Sequence, residues 1–454
     1  MLAPEAAPAH PAPGVDASPG AWPLGEWLVH DDGFVPKARY VSPDFAALEA
    51  ERLWKRVWQI ACREEELPAP GDFVEYEVVG QSVVVVRRAD GTIGAFHNAC
   101  LHRGRRVAHG IGHRDECFQC PYHAWRYALD GSLVHVVDRD DFGDAELDGL
   151  SLAPVQVGSY GGFVFVNLDA AAVPLDEFLA PLRSLLDPYR LECMRFRSYL
   201  STVLPANWKV VVDAFNEAYH VQGTHPQLLA WTDDVSIAYE QLGPSGHAHY
   251  GRLPYARRAL QPSPRLGLRP DQYDEGAILA GMVEGLGGAF LGEERALVRT
   301  LLDERPADLL AAYQARRREL LTARGVDVSG FDDDQLSSAD DVYWFPNLVG
   351  PIYPGSAILF RVRPNGLDPD TSIKDTWVLE WPDASKPARE LQRKSFANWR
   401  DREWDPVTTQ DYENMGPVQQ GMKSDGYRGL RLNPRQEGNL LGMHRAIDRY
   451  LTRA

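Results

Sequence analysis

Two short loops constrain this chain more than any other feature. Cys100-x-His102 and Cys120-x-x-His123 stand seventeen residues apart, each with one thiol and one imidazole and each joined to strand-forming sequence. Soft sulfur together with imidazole selects zinc or an iron–sulfur centre over magnesium or calcium. The flanking strands are legible. DFVEYEVVGQSVVVVRRADGTIGAF carries β-branched runs around Ala89-Asp90-Gly91, WRYALDGSLVHV turns at Asp130-Gly131, and GGFVFVNLD from Gly161 reads as one more strand. Residues 66–168 therefore predict a small all-β domain.

The four residues allow two readings. One is a structural Cys₂His₂ zinc site, for which Cys117-x-x-Cys120 supplies a knuckle and His123 a further ligand. The other is a Rieske [2Fe–2S] centre, in which two Cys hold one iron and two His replace thiolates on the other, lowering the negative charge and raising the potential. Zinc fingers place their histidines three to five residues apart, not one after each cysteine, which favours the second reading. His97, His109, His113 and His135 fit neither pattern and read as ordinary polar or packing residues. Five cysteines in 454 residues is an odd, sparse count that suggests no disulfide framework and a reducing, cytoplasmic setting.

The rest of the chain reads as α+β. A Pro- and Ala-rich arm at residues 1–24 reads as disordered, and SPDFAALEAERLWKRVWQIACREEE, capped by Ser42, as one amphipathic helix in a segment spanning 25–65. MRFRSYLSTVL from Met194 predicts a strand, residues from Asn207 a helix, and 275–325 surface helices. AILFRVRPNGLDPDTSIKDTWVLEW from Ala357 predicts two strands, and the last seventy residues return to helical periodicity. Lys plus Arg total 47 against 64 Asp plus Glu, a net charge of −17, which excludes a general nucleic-acid binder and docking on anionic membranes. There is no apolar run long enough to span a membrane, no secretory signal, and no G-x-G-x-x-G or Walker A pattern.

NWKVVVDAFNEAYHVQGTHP, from Asn207, carries a second constellation. Asp213, Glu217 and His220 at i, i+4 and i+7 share one helical face; Gly223 ends the helix, and His225 bends back towards His220. Two histidines and one carboxylate on one face of iron form the facial triad of non-haem Fe(II) oxygenases, which leaves positions open for O₂ and substrate.

C-x-H-R-G followed by C-P-Y-H-x-W, and D-x₃-E-x₂-H-x₄-H after N-W-K, resemble the two metal motifs of Rieske non-haem iron ring-hydroxylating oxygenases, in their large (α) subunit. The resemblance implies a Rieske [2Fe-2S] domain at 66–168 and a helix-grip catalytic domain, an antiparallel sheet with long helices, at 169–454. It implies one [2Fe–2S] cluster on Cys100, His102, Cys120 and His123, and one Fe(II) on His220, His225 and a distant carboxylate. TTQDYENMGPVQQG from Thr408 resembles the family's segment there, giving Asp411, with Asp405 as runner-up; Glu413 would face away. Glu217 matches the bridging carboxylate that links His220 to His123 of a neighbouring subunit, and Asp213 matches an acid behind the ligands, with helix solvation an equal alternative. The implied protein is a terminal oxygenase in a head-to-tail homotrimer, with or without a small β subunit. It is supplied with electrons from NAD(P)H by a separate reductase, with or without a ferredoxin. The expected reaction is dihydroxylation of an aromatic or cyclic hydrophobic substrate, with Phe215 as a pocket wall or as core. The alternatives are a monooxygenase or O-/N-demethylase with the same metals, a Rieske electron-transfer protein, and a zinc-stabilised binding module. Residues 240–340 match no pattern and are expected to shape the substrate entrance.

Overall fold

Ser42 starts the first long helix. In the computed structural model its hydroxyl accepts from the Phe45 amide at 3.2 Å and Pro43 takes the first helical position, and the helix Pro43–Glu49 runs on into a wider turn at Ala50–Trp54. Phe45, Leu48, Leu53, Trp54 and Val57 are all buried, as their spacing predicts. The helix does not reach Glu66, however. Gln59–Arg63 is a strand, antiparallel to Phe163–Asn167 and buried on both faces. Pairing along a sheet edge satisfies the backbone of such a run while both faces stay dry, and this outweighs the local helical pattern. The structure describes residues 22–242, 248–253, 260–285, 290, 292–383, 385–386 and 390–453. The arm expected at 1–24 lies outside these up to residue 21, and Leu24–Trp27 is a helical turn.

Three small antiparallel sheets carry the first constellation. One runs in the order Ile93–His97, Gln81–Arg87, Asp72–Val78, Ile111–His113; a second, Cys117–Gln119, Arg126–Ala128, Leu133–His135; the third, Gln156–Tyr160, Phe163–Asn167, Gln59–Arg63. Both expected hairpins form, at Asp90-Gly91 and Asp130-Gly131. Gly131 has φ +88°, and a Cβ there would lie 2.6 Å from the Phe96 ring, so the turn admits no side chain.

The larger unit is built on an eight-stranded sheet in the order Ala238–Leu242, Ala248–Leu253, Ala339–Trp344, Leu348–Tyr353, Ser356–Asn365, Asp368–Glu380, Arg195–Leu204, Arg393–Phe396. Every neighbouring pair is antiparallel except the last. The helices Trp208–Ala214, Pro406–Met422 and Gly438–Thr452 accompany it, so the fold is mixed α+β, an all-β unit beside a sheet gripped by helices. The helices Glu275–Gly285, Gly292–Glu304 and Leu309–Ala323 are more than a surface layer. Leu279, Met282, Leu301 and Tyr313 close a second apolar cluster around Trp231. Gly281 and Gly285 lie flat against that ring; a Cβ on either would come within 2.6 Å of it.

Two side chains of the large sheet fasten the small unit. Asn347 accepts from the Ile60 amide at 3.1 Å and donates to the Ile60 carbonyl at 3.2 Å, while Arg361 donates to the Ala61 carbonyl and to Tyr199 Oη at 2.9 Å. The chain's first strand, Val35–Pro36, pairs with Gly429–Leu430 near the other end. Next to it Arg39 is buried against Asp448 and the His444 carbonyl. Among the described residues no helix is long and apolar enough to cross a membrane.

Candidate active site and metal centres

The loop from Asn98 to Ala108 is built around the Asn98 amide, which accepts from the Val107 and Ala108 amides at 2.9 and 3.1 Å and donates to the Ala108 carbonyl at 2.8 Å. This holds Cys100 against the second loop, where the Cys120 amide donates to the Trp125 carbonyl at 2.8 Å. Tyr127 ties the two loops together: its hydroxyl lies 3.2 Å from Cys100 Sγ and accepts from the Leu101 amide at 2.9 Å. Burial and the neighbouring Cys120 thiol push the Cys100 thiol up in pKa. The rings of His102 and His123 lie 4.5 Å apart, with Trp125 stacked on His102 at 5.0 Å. His102 Nδ1 is enclosed without a hydrogen-bond partner. An orphaned ring nitrogen beside a second imidazole and two thiols is a donor set that a two-iron cluster satisfies. Cys117 stands apart, on its strand opposite Ala128.

The second constellation is assembled differently from the expected single helical face. Asn207 caps its helix, accepting from the Lys209 amide at 3.1 Å, but the helix stops at Ala214. Phe215 turns out of it to pack 4.4 Å from the Phe360 ring, and Asn216 is buried. A separate short turn, Val221–Thr224, starts from His220 and contains Gly223 instead of ending there. Tertiary packing at Phe215 therefore overrides the helical spacing.

The break sends the acids to different partners. Glu217 Oε1 accepts from His220 Nδ1 at 2.6 Å, and its other oxygen accepts from the His220 amide at 3.1 Å. His225 Nδ1 is likewise tied, to Gln410 Oε1 at 2.7 Å. With both Nδ1 atoms committed, the two Nε2 atoms face inward, and Asp411 meets them: its Oδ1 lies 2.8 Å from His225 Nε2 and 3.7 Å from His220 Nε2. One ligand atom from each of His220, His225 and Asp411 falls within 4.8 Å of the others, a two-histidine, one-carboxylate set that fits iron. Asp405 is excluded from this set. It caps the helix Pro406–Met422, accepting from the Thr408 amide at 3.0 Å and the Thr408 hydroxyl at 2.7 Å. Glu413 is exposed, on the far side.

Asp213 is held by a buried chain of donors. Arg39 Nε donates to His444 Nδ1 at 3.2 Å, which leaves His444 Nε2–H to donate to Tyr40 Oη at 2.6 Å, and Tyr40 donates to Asp213 Oδ2 at 2.7 Å. Burial raises the Asp213 pKa to about 7 against the Tyr40 hydrogen bond and the Lys209 charge, which lower it. The folded chain thus binds an extra proton here between the unfolded carboxylate range and about pH 7, so this group's contribution to stability falls as pH rises through that window. Asp213→Asn keeps an acceptor for Tyr40 and removes the titration. Its unfolding midpoint, relative to the parent's, is expected to rise between pH 5 and pH 8; thermal unfolding at both values checks this. Neither Tyr40 nor His444 nor Gln410 carries a local sequence signal, because their partners lie up to 405 residues away.

A cavity of about 730 Å³ opens beside the triad. Its floor is one face of the large sheet, where Ser198, Val378 and Ile358 stand in register across three strands and Pro351 and Asp341 continue the row. Phe215, Trp231, Phe360 and Trp404 line it, and so do Glu284 and Gly285, so the segment expected to shape the entrance does contribute to the wall. On the same sheet face, packed against the cavity-lining rings, Lys374 Nζ sits 3.9 Å from the Phe360 ring centroid and 4.4 Å from that of Phe215, and burial brings its pKa down to about 7.

Residues 57–144 match the Rieske [2Fe-2S] domain, and residues 191–286 and 298–453 match the ring hydroxylating alpha subunit catalytic domain. The chain belongs to the Rieske oxygenase α subunits. It is 29% identical over 407 residues to the glycine betaine monooxygenase oxygenase subunit of Chromohalobacter salexigens, covering 87% of this chain and 81% of that one. It is 33% identical over 204 residues to the carnitine monooxygenase oxygenase subunit of Acinetobacter pittii, a match spanning 44% of this chain and about half (54%) of that relative. The fold resembles a quaternary ammonium Rieske monooxygenase solved with L-carnitine (TM-score 0.64, 20% identity, 94% of this chain and 98% of that one). It also resembles naphthalene 1,2-dioxygenase with indole bound (TM-score 0.66, 20% identity, 94% of each chain). As a Rieske oxygenase the chain carries a [2Fe–2S] cluster and a mononuclear iron, and it works with O₂ and a reductase. The zinc-module and electron-transfer readings fall away with that. The expected ring dihydroxylation also loses ground to monooxygenation, because the relative that spans most of the chain is a monooxygenase, whereas anthranilate 1,2-dioxygenase of Acinetobacter baylyi matches over 43%.

Proposed function

We propose that this chain is the terminal oxygenase of a system that hydroxylates a carbon bonded to the cationic nitrogen of a quaternary ammonium compound. The observation that carries the reading is the 407-residue similarity to a glycine betaine monooxygenase, joined to a cavity whose walls are aromatic rings and carboxylates. Aromatic faces attract a permanent cation that has no N–H to donate. Among the described lining residues Arg402 is the one Lys or Arg, and it offers a counterpart for the carboxylate of a betaine-type zwitterion.

His220, His225 and Asp411 would hold the mononuclear iron, and Cys100, His102, Cys120 and His123 the cluster. Together these metals would relay the electrons delivered by the reductase and supply the activation of O₂. The chain's own residues set the geometry. Glu217 and Gln410 fix the tautomer and tilt of the two imidazoles, and the sheet floor keeps water from the substrate carbon. One oxygen atom enters the C–H bond and the other leaves as water with two protons and two electrons from NAD(P)H. The resulting carbinol expels a tertiary amine and leaves a carbonyl compound, formaldehyde where the carbon was a methyl. The working assembly is a head-to-tail homotrimer in which Glu217 connects His220 to His123 of the next copy.

Glu217→Gln is expected to lower kcat by roughly 10- to 100-fold, while the cluster's visible spectrum is unchanged. Single-turnover and steady-state rates on the same preparation check this. The function is tested by supplying the holoenzyme with a matched reductase, NAD(P)H and a panel of trimethylammonium compounds and arenes. Amine and aldehyde release in step with O₂ uptake supports the proposal; an arene cis-diol as the sole product overturns it.

A further inference from the structure

Among the described residues, Asp341 is the one buried carboxylate of the cavity that the metal site and the fold leave unused. Glu217 is held on His220, Asp411 belongs to the triad, Asp405 caps its helix, and Glu284 is exposed at a helix end. Asp341 lies in the strand Ala339–Trp344, opposite Pro351, where the apolar row across the sheet floor ends. Its neighbour Asp340 points to the other face of the sheet and accepts from Tyr189 Oη. Asp341 is only 9% exposed, no described residue donates a hydrogen bond to it, and its Oδ1 is fully enclosed. An unpaired carboxylate at such a place costs stability, and a fold keeps it only where something else brings the compensating charge.

We propose that Asp341 is the anionic anchor for the substrate's quaternary nitrogen, fixing which end of the ligand lies against the sheet floor. This rests on the quaternary ammonium reading above and deepens it. The physical argument is one of matched costs. Burial and the adjacent Asp340 charge raise the Asp341 pKa well above the ordinary carboxylate range, so the empty cavity favours the protonated, uncharged acid. A trimethylammonium group carries a full charge and no donor. It therefore cannot satisfy a hydrogen-bond acceptor but does neutralise a carboxylate, and its weak hydration makes the transfer into an apolar row tolerable. Trp231, set flat against the two helix glycines, supplies an aromatic wall in the same cavity. A neutral ligand of the same shape gains nothing from Asp341.

The experiment compares binding of choline and of its uncharged carbon isostere, 3,3-dimethylbutan-1-ol, to the iron-loaded holoenzyme under anaerobic conditions, for the parent, Asp341→Asn and Asp341→Glu. Unfolding midpoints and the cluster's spectrum are recorded for each. The expected result is a dissociation constant for choline raised on the order of 30-fold or more in Asp341→Asn, an unchanged or tighter one for the isostere, and partial recovery in Asp341→Glu. The unfolding midpoint of ligand-free Asp341→Asn is expected to equal or exceed the parent's, because it no longer buries an unpaired acid. If the parent binds choline in preference to the isostere and Asp341→Asn does so equally, the anchor assignment is overturned while the substrate class stands. If the parent shows no preference for the cation, the substrate class fails and the anchor with it.

Discussion

Asp411→Ala is expected to lose turnover by on the order of 10³-fold or more and to purify with mononuclear iron depleted, while the visible absorption of the cluster stays at the parent level. Two neutral imidazoles cannot offset a doubly charged ion in a site this dry, since Asp411 is only 6% exposed and supplies the sole carboxylate of the three-residue set. The four residues proposed to hold the cluster belong to the small β unit and lose nothing. Iron analysis, acid-labile sulfide and the spectrum, measured with substrate-dependent O₂ uptake, separate the two centres. Asp405→Ala is the comparison that gives the test its force. It removes a helix cap worth about 1 kcal/mol and should keep its iron. Iron lost from Asp405→Ala and retained in Asp411→Ala would reverse the assignment.

The largest effect on stability is expected at Asp375. Its carboxylate is buried between two guanidinium groups, with Arg361 Nε at 2.8 Å and Arg363 Nη1 at 2.6 Å, and these hold its pKa down at about 2. Arg361 is also the residue that reaches the Ala61 carbonyl, so the pair lies at the joint between the large sheet and the small unit. Asp375→Asn leaves two buried cations facing a neutral amide and should destabilise by about 3–5 kcal/mol at pH 7, read by urea unfolding of parent and variant. The folded carboxylate titrates lower than the unfolded one. Its contribution is therefore complete above the ordinary Asp range and disappears as pH falls towards 2, so the gap between parent and variant should narrow on acidification. A gap that stayed constant down to pH 3 would remove the charge argument.

The candidate metal ligands were readable because iron chemistry prints itself locally. Cys100 with His102, Cys120 with His123 and His220 with His225 each come from a few consecutive residues, and the hairpins that flank the first two loops carry their own turn signatures at Asp90-Gly91 and Asp130-Gly131. Asp411 was readable only through resemblance, since an acid in an acid-rich helix has no mark of its own. What stayed hidden is of two kinds. The helix ends at Ala214, where Phe215 packs against Phe360, so Asp213 and Glu217 do not lie on one continuous helix. Long-range pairing supplied the rest: Gln410 under His225, the Arg39–His444–Tyr40 chain under Asp213, and Asp341 at the end of a sheet row. Strand register decides which side chains meet in such a row, and register is not written within any one strand. The three helices from Glu275 to Ala323 looked like surface because their charges are plain in sequence, whereas the ring they enclose, Trp231, lies some forty residues upstream.

The Val35–Pro36 strand and the two residues behind it, Arg39 and Tyr40, have a practical consequence for anyone exchanging redox modules between relatives. The oxygenase half takes part of its scaffolding from the opposite end of the polypeptide, where Tyr40 supports Asp213 and Arg39 braces the final helix. Grafting a whole front half from another enzyme would import a foreign brace and leave that support unmatched. Splices near residue 57 and after residue 168 would keep the native strap and cross the joint where Asn347 and Arg361 grip main-chain atoms of residues 60 and 61, contacts any donor can provide, and the Tyr76 hydroxyl, which Asn347 reaches at 3.4 Å and which the donor must supply.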